Sequence, residues 1–119
     1  FGGGGGGAAA TGEVDLFHDR IAANWPLIRL LMDDPVYRAA YRAHVEDLLA
    51  TVFEPARVGA TLQSEHARIA RFVIGPEGED PAFAGTPIEF DATVFGPTGL
   101  AAFVENRAAA VRRALGAAR

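Results

Sequence analysis

Three histidines, a single serine, Ser64, and a few grouped carboxylates are the side chains in this sequence with the means to do chemistry. His18, His44 and His66 have the right type for metal ligation or general base catalysis. They fall on different predicted elements, and no pair has the i,i+4 spacing that puts two imidazoles on one zinc-binding helix face. Glu65 and His66 fall near the middle of a predicted buried stripe. A structural ion pair with an Arg of a neighbouring helix, or a solvated edge, explains Glu65 better than an acid–base role. Asp33-Asp34 reads as a helix cap, with metal binding a distant second. Gly78-Glu79-Asp80 has loop carboxylates, as calcium sites do, but not the twelve-residue EF-hand spacing. Ser64 sits in mid-helix, which excludes a nucleophile elbow. Gly2 to Gly7 invites a phosphate-loop reading. However, the run leads into alanines with no Lys, so a linker is the better account. Trp25, Tyr37 and Tyr41 read as core aromatics rather than a ligand cage. No residue is therefore assigned as catalytic, cofactor-binding or metal-binding.

The composition narrows the classes further. The 119 residues are 50% hydrophobic and 22% charged, enough for one small domain with a core. With no Cys there is no disulfide framework and no thiol nucleophile. A net charge of −4 argues against a nucleic-acid binder. No apolar run approaches the roughly 20 residues that span a bilayer. All 11 basic residues are Arg, so no Lys can grip a phosphate or form a Schiff base.

Phe1, the Gly run and the absence of an initiator Met lead to the expectation of a chain cut from a longer one. Residues 1–12 read as a flexible Gly-rich loop and 13–119 as a helical subdomain. Val14, Leu16, Phe17 and Ile21 have the spacing of one or two helical turns. Pro26, Asp34-Pro35, Glu54-Pro55 and Thr86-Pro87 mark helix starts. The expected helices span about 26–32, 35–52, 55–73, 87–95 and 99–115. The fold class is all-α, a small helical bundle in which 35–52 and 55–73 form a hairpin. Leu27 to Met32 is apolar enough to predict burial on most sides. The second helix should bury Tyr37, Tyr41, His44, Val45, Leu48, Leu49 and Val52, and the third Val58, Leu62, Ile69, Phe72 and Val73. Ile88, Phe90 and Val94 should point inward from the fourth. Leu100, Phe103, Val104, Ala108, Val111 and Leu115 form the stripe of the last. Thr86 and Glu89 read as a capping box.

Asn24 to Phe53 (NWPLIRLLMDDPVYRAAYRAHVEDLLATVF) resembles the C-terminal region of the CotH-type, or spore coat protein H, kinase family. The shared progression is Pro-Leu-Ile, Arg-Leu-Leu, a break with Pro and Tyr-Arg, then Tyr and Leu-Leu. Phe53-Glu54-Pro55-Ala56-Arg57 is similar to the family's turn into its next helix. Gly99-Leu100-Ala101-Ala102-Phe103-Val104-Glu105-Asn106-Arg107 is similar to its closing helix. The likeness covers about residues 24–74 and 88–115. Phe1-Gly2 resembles the Phe-Gly that follows the family's metal-binding Asp. The resemblance implies the C-terminal subdomain of a bacterial, atypical kinase-like fold. The parent would move phosphate from ATP, with Mg²⁺, to Ser of partner proteins such as those of the spore coat. Its implied place is the spore coat, the secreted fraction or the cell surface. The nucleotide-gripping and catalytic residues of the family would lie upstream of Phe1, so none carries over. The chain alone is then expected to be non-catalytic, without a cofactor, and partnered by the N-terminal catalytic part of its own parent. The rival reading is a freestanding helical module that binds another protein.

Overall fold

The computed structural model describes residues 15–22, 24–74 and 86–117. These residues hold five helices and no strand, so the fold is all-α. The helices are α1 (Pro26–Asp33), α2 (Pro35–Ala50), α3 (Pro55–Val73), α4 (Pro87–Phe95) and α5 (Leu100–Ala117). Every boundary lies within two residues of its predicted place. The Gly run, Val14 and Gly78-Glu79-Asp80 lie outside the described residues.

Four of the helices open on Pro, whose missing N–H costs nothing in the first turn. The residue before that Pro supplies a cap in three cases. Asp34 accepts from the Val36 N–H at 2.8 Å and the Tyr37 N–H at 3.3 Å. Glu54 accepts from the Arg57 N–H at 2.8 Å, and Thr86 from the Glu89 N–H at 3.2 Å. Asp34 also closes α1, its N–H donating to the Leu30 carbonyl. One residue thus ends a helix and begins the next. The capping box is present in altered form, since the Thr86 hydroxyl donates to the Glu89 carboxylate at 3.0 Å.

The chain divides into two compact units. The first takes residues up to Thr51 together with Arg107–Arg119. Its buried apolar residues are Leu16, Phe17, Met32, Leu49, Ala108, Ala110, Val111 and Leu115. Arg42 belongs here too. Its Nε donates to Glu46 at 3.0 Å, the predicted i,i+4 pair, and its Nη2 to the Leu115 carbonyl at 2.8 Å. That places a cation at carbonyls near the C-terminus of α5, where the helix dipole favours it.

The second unit spans Val52–Asn106 and holds α3, α4 and the first turns of α5. Phe90 and Val104 are its buried apolar residues. The link from α4 to α5 is a tight turn, with the Gly99 N–H bonded to the Gly96 carbonyl at 2.9 Å. Gly96 also donates to the Ala92 carbonyl at 3.0 Å, ending α4. Glycine is required at both positions by close approach. A Cβ on Gly96 would stand 2.6 Å from the Ala92 carbonyl oxygen, and one on Gly99 would stand 2.8 Å from it.

Several sequence expectations are corrected. Residues 15–22 form turns rather than helix. The Asp15 carboxylate takes the N–H groups of Asp19 and Arg20, each at 3.0 Å, and the backbone turns over at His18 with φ of 54°. A helix has no place for that left-handed residue. Burial is thinner than periodicity predicts. On α1, Leu27 and Leu30 are exposed and only Met32 is buried, because the helix packs along one side, against α2. On α2 the covered seam is Tyr41, Val45 and Leu49, while Tyr37, His44 and Leu48 are exposed; Val52, predicted to extend this helix, lies beyond its end and is exposed. No residue of α3 is fully buried, and Ile69 and Phe72 are exposed. Ile88, Leu100 and Phe103 also face solvent, as does Trp25. An apolar period marks a face that has the chemistry for burial, but a partner surface is needed to bury it.

Candidate functional site

Two side-chain clusters stand out, one in each unit. In the first unit, the loop from Asp15 to Arg20 is held by two arginines of the neighbouring helices. Arg29 of α1 donates through Nη1 to the His18 carbonyl at 3.2 Å and the Asp19 carbonyl at 3.3 Å. The rest of its guanidinium is forked onto Asp33, with Nε to Oδ2 at 2.9 Å and Nη2 on Oδ1. Arg38 of α2 donates to Asp19 at 3.0 Å and to the Met32 carbonyl at 3.4 Å. Its guanidinium carbon lies 4.5 Å from the centre of the Phe17 ring. Phe17 in turn meets Tyr41 edge to face, with centroids 6.2 Å apart.

The electrostatics follow from those contacts. The hydrogen bond from Arg29, reinforced by its charge, holds the Asp33 carboxyl below the usual carboxylate range and raises Arg29 in turn. At Asp15 desolvation pushes the other way. The N–H donors of Arg20 and Asp19, with the Arg20 and His18 charges, outweigh it and leave that carboxyl lowered too. These carboxylates therefore act as anchors for donors from this chain. Mg²⁺ bound to ATP would need free carboxylates converging on one point. Among the described residues, no three His, Asp or Glu side chains gather closely enough to hold a metal ion. Asp15 and Asp33 are engaged by internal donors and do not present the free oxygens that a Mg²⁺–ATP pair needs.

The second cluster centres on His66 of α3. Its ring stacks on Phe90 of α4 with centroids 4.2 Å apart and planes 21° apart, and it meets Phe95 edge on at 5.0 Å. Nε2 is buried and stands 3.2 Å from Asp91 Oδ1. That distance allows an ion pair once the ring is protonated. The approach lacks hydrogen-bond geometry, so the nitrogen has no hydrogen-bond partner. No hydroxyl nucleophile is recorded in contact with it.

The remaining candidates are separate from both clusters. His44 is exposed on α2, and Ser64 is exposed on α3. Glu65 forms the structural ion pair expected of it, but with Arg68 of its own helix rather than a neighbour. Asp34 is the cap that the sequence predicts, whereas Asp33 is the partner of Arg29. Sequence reasoning missed the roles of Arg29, Arg38, Asp15 and Asp19. The i,i+4 spacing of Arg29 and Asp33 was a readable signal. The pairing of Arg38 with Asp19 crosses 19 positions and had none.

Among the described residues, no helix is long and apolar enough to cross a membrane. A family model described as CotH kinase protein matches residues 5–111 of the chain. No significant match was found among curated proteins or solved structures.

Proposed function

From the premise that this chain belongs to the CotH kinase family, we propose that it is the C-terminal helical subdomain of a CotH-like atypical protein kinase. In this reading the parent protein transfers phosphate from ATP, with Mg²⁺, to Ser of a partner protein. The subdomain carries no catalytic group of its own and supports the catalytic part that precedes it. The observation that carries the reading is the family match over residues 5–111. The thin packing supports the subdomain role. Leu27, Leu30, Val36 and Tyr37 in one unit, and Ile69, Phe72 and Ile88 in the other, keep large apolar area in water. Burying such side chains against a further body returns about 1.5–3 kcal/mol each.

The test compares two proteins in one assay. The purified 119-residue chain and a longer parent protein are each given labelled ATP, Mg²⁺ and a Ser-bearing protein acceptor. The parent is expected to label the acceptor and the chain alone is not. Magnesium-dependent labelling by the chain alone overturns the reading.

The same exposed apolar residues also favour a second reading, a freestanding helical module that binds another protein. Solution behaviour separates the two. A subdomain lacking its neighbour self-associates or melts without cooperativity, while a monodisperse, cooperatively melting monomer favours the module.

A further inference from the structure

We propose that His66 is a proton-operated latch between α3 and α4. The ring bridges the two helices, with 12% of its side chain exposed, stacked on Phe90 and set edge on to Phe95. Its Nε2 is buried with no hydrogen-bond partner among the described residues and lies 3.2 Å from Oδ1 of Asp91, whose own side chain is 60% exposed. A neutral ring leaves Nε2 uncharged 3.2 Å from the Asp91 carboxylate, without hydrogen-bond geometry, so the contact gains little. A ring protonated on both nitrogens sets a positive charge beside that carboxylate and over the face of Phe90. Proton uptake therefore turns a poorly satisfied contact into an ion pair lying over an aromatic ring. It tightens α4 on α3.

Among the described residues, the other charged groups on these elements have contacts of their own or lie exposed. On α3, Glu65 pairs with Arg68, and Arg71 lies over the ring of Phe72. On α4, Glu89 is held by the Thr86 hydroxyl and backbone. In the first turns of α5, Glu105 is exposed. Asp91 is the carboxylate recorded within ion-pairing distance of the ring among the described residues. The sign follows: the contribution is present when the ring is charged and absent when it is neutral.

The latch does not depend on the proposed kinase role and is read without an activity assay. Amide hydrogen exchange in α4 of the full 119-residue chain is measured at about pH 5.5 and 8.0, either side of the imidazole range, with each rate corrected for intrinsic exchange at that pH. Protection of Asp91 to Phe95 is expected to be about two- to fivefold higher at the acid pH, the range set by one half-exposed ion pair. The ratio should fall to one in Asp91→Asn, which keeps the shape of a largely exposed side chain. It should also fall to one in His66→Gln, which leaves His18 and His44 in place. If His66→Gln does not fold, Asp91→Asn alone decides. Equal or lower protection at the acid pH in the unmodified chain overturns the proposal, as does an unchanged ratio in Asp91→Asn.

Discussion

Arg38 and Asp19 are 19 positions apart in sequence and meet fork to carboxylate, with Nη1 to Oδ1 at 3.0 Å and Nη2 to Oδ2 at 3.4 Å. The same guanidinium covers the face of Phe17, which is 5% exposed. One side chain thus fastens the Asp15–Arg20 loop to α2 by charge and covers the Phe17 ring.

Arg38→Ala should therefore cost more than an exposed ion pair does. The ion pair and the ring contact together set an expected loss of about 1–2 kcal/mol in urea unfolding. Arg38→Lys should recover less than half, because an ammonium cannot match the two oxygens and the ring at once. Arg20→Ala is the control. Arg20 has a 75% exposed side chain and stands 4.0 Å from Asp15, and its loss should change stability by less than about 0.5 kcal/mol. An Arg38→Ala loss no larger than that of Arg20→Ala would remove the clamp from the account.

Glycine substitutions should change stability with opposite signs in the second unit. Gly99→Ala sets a Cβ 2.8 Å from backbone atoms of both Ala92 and Val94, which cannot move aside as a side-chain tip can. About 1–3 kcal/mol of destabilisation is expected, with loss of the α4–α5 turn. Gly59 lies inside α3, and a Cβ added there would meet nothing within 4 Å, so Gly59→Ala should raise stability by about 0.4–1 kcal/mol. Thermal melts followed by circular dichroism read both. A neutral Gly99→Ala would show that the turn adapts without cost.

Acid should loosen the first unit through Asp33 and Asp15. Both carboxyls are lowered in the folded chain, so the unfolded chain binds protons first as pH falls. Their contribution is complete above the ordinary unfolded value of about 3.9 and is lost as pH drops through the lower folded values. Asp33→Asn and Asp15→Asn should each flatten the acid limb of a stability–pH profile and leave its neutral limb unchanged in slope. Arg29→Gln should act like Asp33→Asn, because the Arg29 hydrogen bond is the leading cause of the Asp33 shift. An acid limb of unchanged steepness in all three variants would show that these carboxyls are not linked to folding.

Helix placement was legible because its causes are local. Pro26, Pro35, Pro55 and Pro87 each open a helix, and Asp34, Glu54 and Thr86 each cap the N–H groups beside them. Those effects act over about four residues and need no distant partner. The family was also legible, because the order of short motifs from Asn24 to Arg107 survives without coordinates, and the family model matches residues 5–111.

Tertiary structure alone decided which apolar faces are covered and which polar groups meet. Leu27 and Met32 belong to the same short apolar helix, yet one is 67% exposed and the other 8%. Periodicity assigns a face, while burial depends on what packs against it. The helical expectation for residues 15–22 failed for a related reason. Asp15 draws the backbone into a turn, and Arg29 and Arg38 arrive from later in the chain to hold it. His66 reads in the sequence as one polar residue on a stripe. Phe90, Phe95 and Asp91, far onward in the chain, make it a half-buried imidazole beside a carboxylate. Such sites are assembled by loop closure, and the chain order of their parts carries no record of the distance between them.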